Sequence, residues 1–420
     1  MEVIVSIIFI AALVAIVLDW LDRTKIALLG AAAVVLIGSI SADQAISAID
    51  WATLGLLVGM MLVVGLAEPT GIFGWAGLHA VRLSRGRPTR LLFMLGGLTA
   101  VISAFLDNLT AILLVLPIAF TIARILKVSP IPLILTEILA SNIGGTATLI
   151  GDPPNIMIGG YKPELGFNDF IVNLAPPAVV ALVVAILVLR VLFRKDLRYD
   201  PARAAAIDAL NPNGELKGTR NQRIAVLVVL AGTILAFFAH APLGLAPAVV
   251  ALCGGTAMLL VSDREAEYGL ARVEWATMFF FVGLFVMVGA LEQQGVIAQL
   301  AEAIQQITGD SEVTQMMVIL WGAAFGSALV DNIPFTAAML PVVDLIDGPE
   351  LNPNLWWSLA LGACFGGNAT LVAAAANVAA TGIAKREGVP ISFLRFLAVG
   401  LPITLLSLVI ASGWLLFLAR

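Results

Sequence analysis

The sequence predicts an all-α polytopic membrane protein made of two inverted-topology repeats, each with about five transmembrane spans, one re-entrant helical hairpin and one broken helix. Three observations carry this expectation. Of the 420 residues, 60% are hydrophobic and only 12% charged, with a mean hydropathy of +1.02; soluble domains hold about 45–50% apolar residues. Long stretches carry no charge at all, among them "VIVSIIFIAALVAIVL" near the start and "AVLVVLAGTILAFFA" from Ala225. Finally, the chain repeats itself. "DWATLGLLVGMMLVVGLAEPTGIF" from Asp50 returns as "EWATMFFFVGLFVMVGALEQQGVI" from Glu274, 224 positions on (50 to 274). The same offset carries "SAFLDN" onto "SALVDN" and Pro117 onto Pro341. With two residues deleted, "GGTATLIGDPPN", ending at Asn155, falls on "GGNATLVAAAAN", ending at Asn377. The expected organisation is a first repeat over 1–193, a cytoplasmic linker over 194–223 and a second repeat over 224–420.

The first apolar run, 3–19, has neither a basic n-region nor a small-residue cleavage site, so it reads as a retained span rather than a secretory signal. Further spans are expected at 25–41, 52–68, 132–160 and 171–193, then at 224–240, 245–261, 275–291, 356–384 and 393–417. Between the third and fourth of each set lie apolar segments at 91–125 and 311–347, with an Asp–Asn pair in the middle of each. A straight helix of that length would run about 52 Å at 1.5 Å per residue, against a hydrocarbon core of about 30 Å. Each segment is therefore expected to be two helices with the pair at their junction. Ordinary turns in water would also place an Asp–Asn there; the apolar residues hard against both pairs favour re-entrant tips.

Charge orients the chain. Of 23 Lys and Arg, only Lys162 and Arg420 fall on one side of the expected spans, leaving 21 on the other, which reads as cytoplasmic. Five crossings per repeat is an odd number, so the second copy must be inverted, and both termini are expected outside, in the plasma (inner) membrane of a bacterium or archaeon. The loops agree: the one at 78–90 has four arginines, while its counterpart at 292–310 has none and contains Glu292, Glu302 and Asp310. The polar linker, from Arg194 to Arg223, needs no fold of its own.

Several function classes drop out. No phosphate-binding loop is present, the net charge of −5 offers nothing to nucleic acid, and Cys253, Cys364, His79 and His240 lack metal-ligand spacing. Neither an enzyme nor a cofactor is expected; the oligomeric state is left open. What remains is transport. Inverted repeats with interrupted helices place their sites where the breaks meet near the midplane, and irregular backbone at that depth survives only inside protein or a wet cavity. A carboxylate there costs roughly 2.5–3.5 kcal/mol on insertion scales. Asp107, Asn108, Asp331 and Asn332 mark two breaks. "SNIGGTATLIGDPPN" and "GACFGGNATLVAAAAN" mark the others, bringing Asn142, Thr146, Thr148, Asp152 and Asn155, then Asn368, Thr370 and Asn377. The counterpart of Asp152 is Ala374, so the acids are asymmetric. The alternative reading has Asn142 joining helices by a hydrogen bond and the glycines serving helix packing alone. Glu68, Glu137 and Glu292 are candidate proton relays, and Cys364 reads as a small hydrophobe.

The runs "FLDNLTAILLVLPI" and "SNIGGTATLIGDPPNIMIG" resemble the arsenical pump membrane protein family within the citrate-transporter-like superfamily, which also holds the P protein, sodium/proton antiporters and sodium-coupled dicarboxylate carriers. The resemblance extends over about 10–415. It implies arsenite or antimonite efflux in exchange for protons, with a cytoplasmic arsenical-pump ATPase as a potential partner. Sodium/proton exchange is the alternative, followed by dicarboxylate or other anion transport. In the dicarboxylate carriers the matching tips bear Ser–Asn–Thr motifs, whereas here they bear Asp–Asn. Two fixed carboxylates with no Lys or Arg among the expected site residues would repel a dianion. A passive channel for neutral solutes would use the same breaks, and trans-stimulation distinguishes it from a carrier.

Overall fold

The computed structural model describes residues 1–420 except Asp19 and Arg198; these two, at the end of the first expected span and in the expected linker, lie outside the described residues. The first repeat contains α1 (Glu2–Val17), α2 (Arg23–Leu36), α3 (Ala42–Ser47), α4 (Trp51–Ala67), α5 (Ile72–Ser84), α6 (Pro88–Phe105), α7 (Asn108–Leu126), α8 (Ile131–Gly145), α9 (Pro153–Tyr161) and α10 (Phe167–Leu192). After α11 (Pro201–Asp208) the series returns in the same order. It comprises α12 (Arg220–Ala239), α13 (Pro247–Val261), α14 (Ala266–Leu270), α15 (Trp275–Gln293) and α16 (Val296–Thr308). It closes with α17 (Glu312–Leu329), α18 (Asn332–Asp347), α19 (Pro353–Gly366), α20 (Ala375–Arg386) and α21 (Phe393–Leu418).

Among the described residues, eight helices are long and apolar enough to cross a membrane, and α1, α8 and α13 are shorter apolar helices. The expected membrane architecture holds: α6 with α7 and α17 with α18 form hairpins that turn at the Asp–Asn pairs, and α8/α9 and α19/α20 are the broken helices. Polar caps start many of the helices. Asp50 accepts from the amides of Ala52 and Thr53, Thr219 from Gln222 and Ser392 from Arg395.

The repeats interlock reciprocally. Helix α4 packs on α13, and their counterparts α15 and α2 pack on each other; α7 meets α20 as α18 meets α9; α10 meets α21. Every residue of α8 is buried, as is α19 from Leu355 to Gly366. Helices apolar on all sides belong in the interior, so the two broken helices form the centre. The outer helix α12 instead turns Leu227, Val228 and Leu235 outward, the composition a lipid-facing surface requires.

Two expectations need correction. The stretches read as loops at 78–90 and 292–310 lie largely within α5 and α16, thirteen-residue helices too short to span. Helix α16 buries only Ile297, Ala301 and Thr308, a one-sided pattern hidden by its polar residues. The described part of the linker also carries structure of its own. Helix α11 lies against α5 and α7, and a short 3-10 turn, Pro212–Glu215, packs on α5. Gly71 explains that contact: its φ of 76° is left-handed, and a Cβ there would stand 1.8 Å from the Glu215 carbonyl oxygen.

Candidate functional site

Each broken helix is held open by an asparagine at the start of its second half. Asn155 Nδ2 donates to the carbonyls of Thr146 (3.0 Å) and Thr148 (2.8 Å); Asn377 Nδ2 donates to those of Gly367 (2.7 Å) and Thr370 (2.9 Å). The unwound carbonyls thus keep partners that the helix no longer supplies. Further hydroxyls fasten each break to its own hairpin. Thr148 donates to the carbonyl of Ala104 and Thr370 to that of Ala328. Ser103 and Ser327 reach the carbonyls of Ser141 (2.6 Å) and Ala363 (2.8 Å). Pro153 and Pro154 open α9, where absent N–H groups leave nothing unsatisfied.

The glycines act by permitting close approach. None of Gly144, Gly145, Gly151, Gly366 and Gly367 has a positive φ, so no left-handed turn explains them. A Cβ on Gly144 would lie 2.4 Å from the backbone of Ala100, and one on the equivalent Gly366 would lie 2.5 Å from the Ala324 oxygen. Gly145 and Gly151 face each other across the break at the same 2.5 Å.

At the centre, the two repeats share one hydrogen-bond network. Asn108 Nδ2 donates to Asn142 Oδ1 (3.1 Å) and Asp152 Oδ1 (3.4 Å), and Asn332 Nδ2 donates to that same Asp152 oxygen (3.2 Å). Asn142 Nδ2 donates across to Asn368 Oδ1 and Asn377 Oδ1, both at 2.9 Å. Cys364, which occupies in the second repeat the position of Asn142 (142 to 364, the same 222-residue offset as Asn155 to Asn377), donates weakly to Asn155 Oδ1 at 3.6 Å. It is thus a member of the network as well as a small buried side chain. Asp152 caps no helix amide, although it stands at the N-cap of α9. Its Oδ2 and the Nδ2 of Asn368 are buried without partners.

The structure therefore brings together Asn108, Asn142, Asp152, Asn155, Asn332, Asn368 and Asn377. It places Thr148 and Thr370 as fasteners, and Thr146 donates to the Asn142 carbonyl at 2.8 Å. Asp107 and Asp331 sit at the hairpin tips as N-caps. Asp107 accepts from Thr110 N (2.8 Å) and Thr110 Oγ1 (2.5 Å), and Asp331 accepts from Ile333 N (3.0 Å). Of the three glutamates, Glu68 and Glu292 are exposed, and Glu68 pairs with Arg272 at 2.9 Å. Glu137 is fully buried on α8 with neither oxygen hydrogen-bonded.

A narrow pocket reaches the tips, lined by Arg23, Asp107, Asn108, Glu274, Thr277 and Asn332 among others. Arg23 corrects the expectation that no cation attends the site: its Nη1 lies 3.7 Å from Asp331 Oδ2. Glu274 and Thr277 were also missed, although "EWAT" repeats the "DWAT" of Asp50 and Thr53. The repeated acid and threonine were the available signal.

The citrate transporter family model matches residues 13–362. An uncharacterized transporter of Mycobacterium bovis, Mb2703, is 40% identical over 99% of this chain and 98% of its own length. The P protein of Mus musculus is 32% identical over 96% of this chain, which spans 58% of that longer protein. Among solved structures, the YdaH transporter of Alcanivorax borkumensis superposes with a TM-score of 0.61 at 16% identity, covering 88% of this chain and 86% of that one; this likeness is one of fold.

Proposed function

As the chain belongs to the citrate transporter family and is a multi-pass membrane transporter, we propose that it is a secondary carrier exporting arsenite or antimonite in exchange for protons. The observation that supports this reading is the pair of unpartnered atoms at the centre. Asp152 Oδ2 is a free acceptor and Asn368 Nδ2 a free donor. They terminate the chain Asp152–Asn108–Asn142–Asn368. A bare sodium ion would need acceptors only, and a carboxylate would need donors. A neutral metalloid hydroxide supplies both a donor and an acceptor. Asp152 is the group assigned to proton exchange, since it is the only carboxylate in the network and one of its oxygens is unpartnered. The arginine-rich side is assigned to the cytoplasm, with both termini outside the plasma membrane.

Purified protein in tight proteoliposomes provides the test, with arsenite, sodium and a dicarboxylate offered in turn while internal pH is recorded. Arsenite flux that follows an imposed pH gradient and shows trans-stimulation is expected. Movement of sodium alone would install sodium/proton exchange instead. Flux without saturation or trans-stimulation would make the protein a channel.

A further inference from the structure

We propose that Arg23 is a built-in counter-cation for the second-repeat hairpin tip, holding Asp331 as a carboxylate that takes no part in proton exchange and thereby limiting the protons moved per cargo. The inference rests on the proton-coupled reading above. Arg23 begins α2 of the first repeat, yet its guanidinium is pinned by the second. Nη1 lies 3.7 Å from Asp331 Oδ2, Nη2 donates to Thr277 Oγ1 at 3.4 Å, and the guanidinium carbon stands 5.3 Å over the Phe280 ring. A guanidinium stays charged at any physiological pH, and a cation within about 4–6 Å favours the ionised carboxylate. The equivalent position in the second repeat is Pro247 (23 to 247, the same 224-residue offset), so the repeat supplies no matching cation to Asp107. Among the described residues Asp107 forms no ion pair and is engaged by Thr110 alone. The other charged groups around the tips are Glu274 at the N-cap of α15, beside Arg23 in the pocket, and Asp152 at the head of α9. The unwound stretch 368–374, whose Ala373 carbonyl accepts from Asn332 N, adds no charge. Two acids that the duplication made equivalent are thus made unequal by one arginine.

The test measures the steady arsenite gradient against imposed pH difference in proteoliposomes, with the membrane potential clamped at zero. Each proton exchanged per cargo multiplies that gradient by about ten per pH unit, because a tenfold proton ratio is one pKa unit of free energy. Arg23→Gln is expected to steepen the dependence by one further factor of ten per pH unit. Arg23→Gln combined with Asp331→Asn should return to the wild-type slope, and Arg23→Lys should keep it. Active Arg23→Gln with the wild-type slope would overturn the proposal. A second measurement needs neither transport nor a folded Arg23 variant: proton release by purified protein titrated from about pH 5 to about pH 9. Wild type and Asp331→Asn should release equal numbers; one proton fewer from Asp331→Asn would sink the assignment. Should wild type move no arsenite, the carrier reading fails while this titration still judges Arg23.

Discussion

At the residue scale, Asp152 and Asp107 divide two jobs that look alike in the sequence. One Asp152 oxygen accepts from Asn108 and Asn332 while the other is free; both Asp107 oxygens are engaged by Thr110. Asp152→Asn keeps an oxygen for the two asparagines and loses titration. Proton-coupled flux should therefore fall to the level of protein-free vesicles, with insertion and melting temperature retained. Asp107→Asn should be milder, because asparagine and aspartate cap helices about equally well. Equal losses in the two variants, measured in the same vesicles, would give Asp107 a share of the proton-exchanging role. Asn377→Ala tests the fastening of the break. It strands the carbonyls of Gly367 and Thr370, at a cost of about 1–3 kcal/mol for each buried group left unpaired, and a lowered melting temperature in detergent should report it. The asparagines and Asp152 were legible because the repeat preserved or conspicuously replaced them. Arg23 was not, since its partner Asp331 lies 308 positions away (23 to 331) and no local pattern links them.

At the scale of elements, the hairpins were legible from length: a mostly apolar segment of thirty-five residues (91–125) cannot cross once as a straight helix, and an Asp–Asn pair marks where it turns. What the glycines do inside the broken helices was only half legible, because close backbone approach and a left-handed turn ask for the same residue. The structure separates the two, and substitution can confirm it. Gly144→Ala and Gly366→Ala drive a methyl into the backbone of the neighbouring hairpin helix, and overpacking of this kind costs about 1–3 kcal/mol. Gly160 and Gly382 make a sharper pair, since they occupy equivalent positions under the 222-residue offset of Asn155 to Asn377. A Cβ on Gly160 would stand 2.4 Å from Asp50 Oδ2 and 2.6 Å from Thr53 Oγ1, whereas one on Gly382 meets nothing within 4 Å. Gly160→Ala should lower the melting temperature, while Gly382→Ala should be neutral or raise it slightly, alanine being favoured in helices by up to about 1 kcal/mol. Equal effects would contradict the asymmetry between Gly160, pressed against Asp50 and Thr53, and its open counterpart Gly382. Helices α5 and α16 escaped notice because neither is long enough to span and their polar faces resemble loops.

At the scale of the whole molecule, duplication and inversion are separate claims. The ten-by-ten order of helices and the reciprocal contacts of α4 with α13 and α15 with α2 establish the duplication. Inversion is the expectation from counting crossings: with α1, α2, α4, the α8/α9 pair and α10 each taken as one passage, the first repeat crosses five times, and an odd number delivers the second repeat to the opposite face. Charged residues read the same way, with Arg82, Arg85, Arg87 and Arg90 around the turn from α5 to α6, and Asp310 and Glu312 but no Lys or Arg over the equivalent stretch 306–314. These equivalent turns should therefore face opposite compartments. Single cysteines at Arg85 and Asp310, in a chain whose exposed Cys253 has been changed to serine, can be probed with a membrane-impermeant maleimide on intact cells. Asp310→Cys should label from outside, and Arg85→Cys only after permeabilisation. Labelling of both from one side would defeat the inversion. The opposite assignment, Arg85→Cys outside and Asp310→Cys inside, would keep the inversion and reverse the sidedness drawn from charge. The two outcomes differ because charge bias sets which face is cytoplasmic, whereas the odd count alone makes the repeats antiparallel.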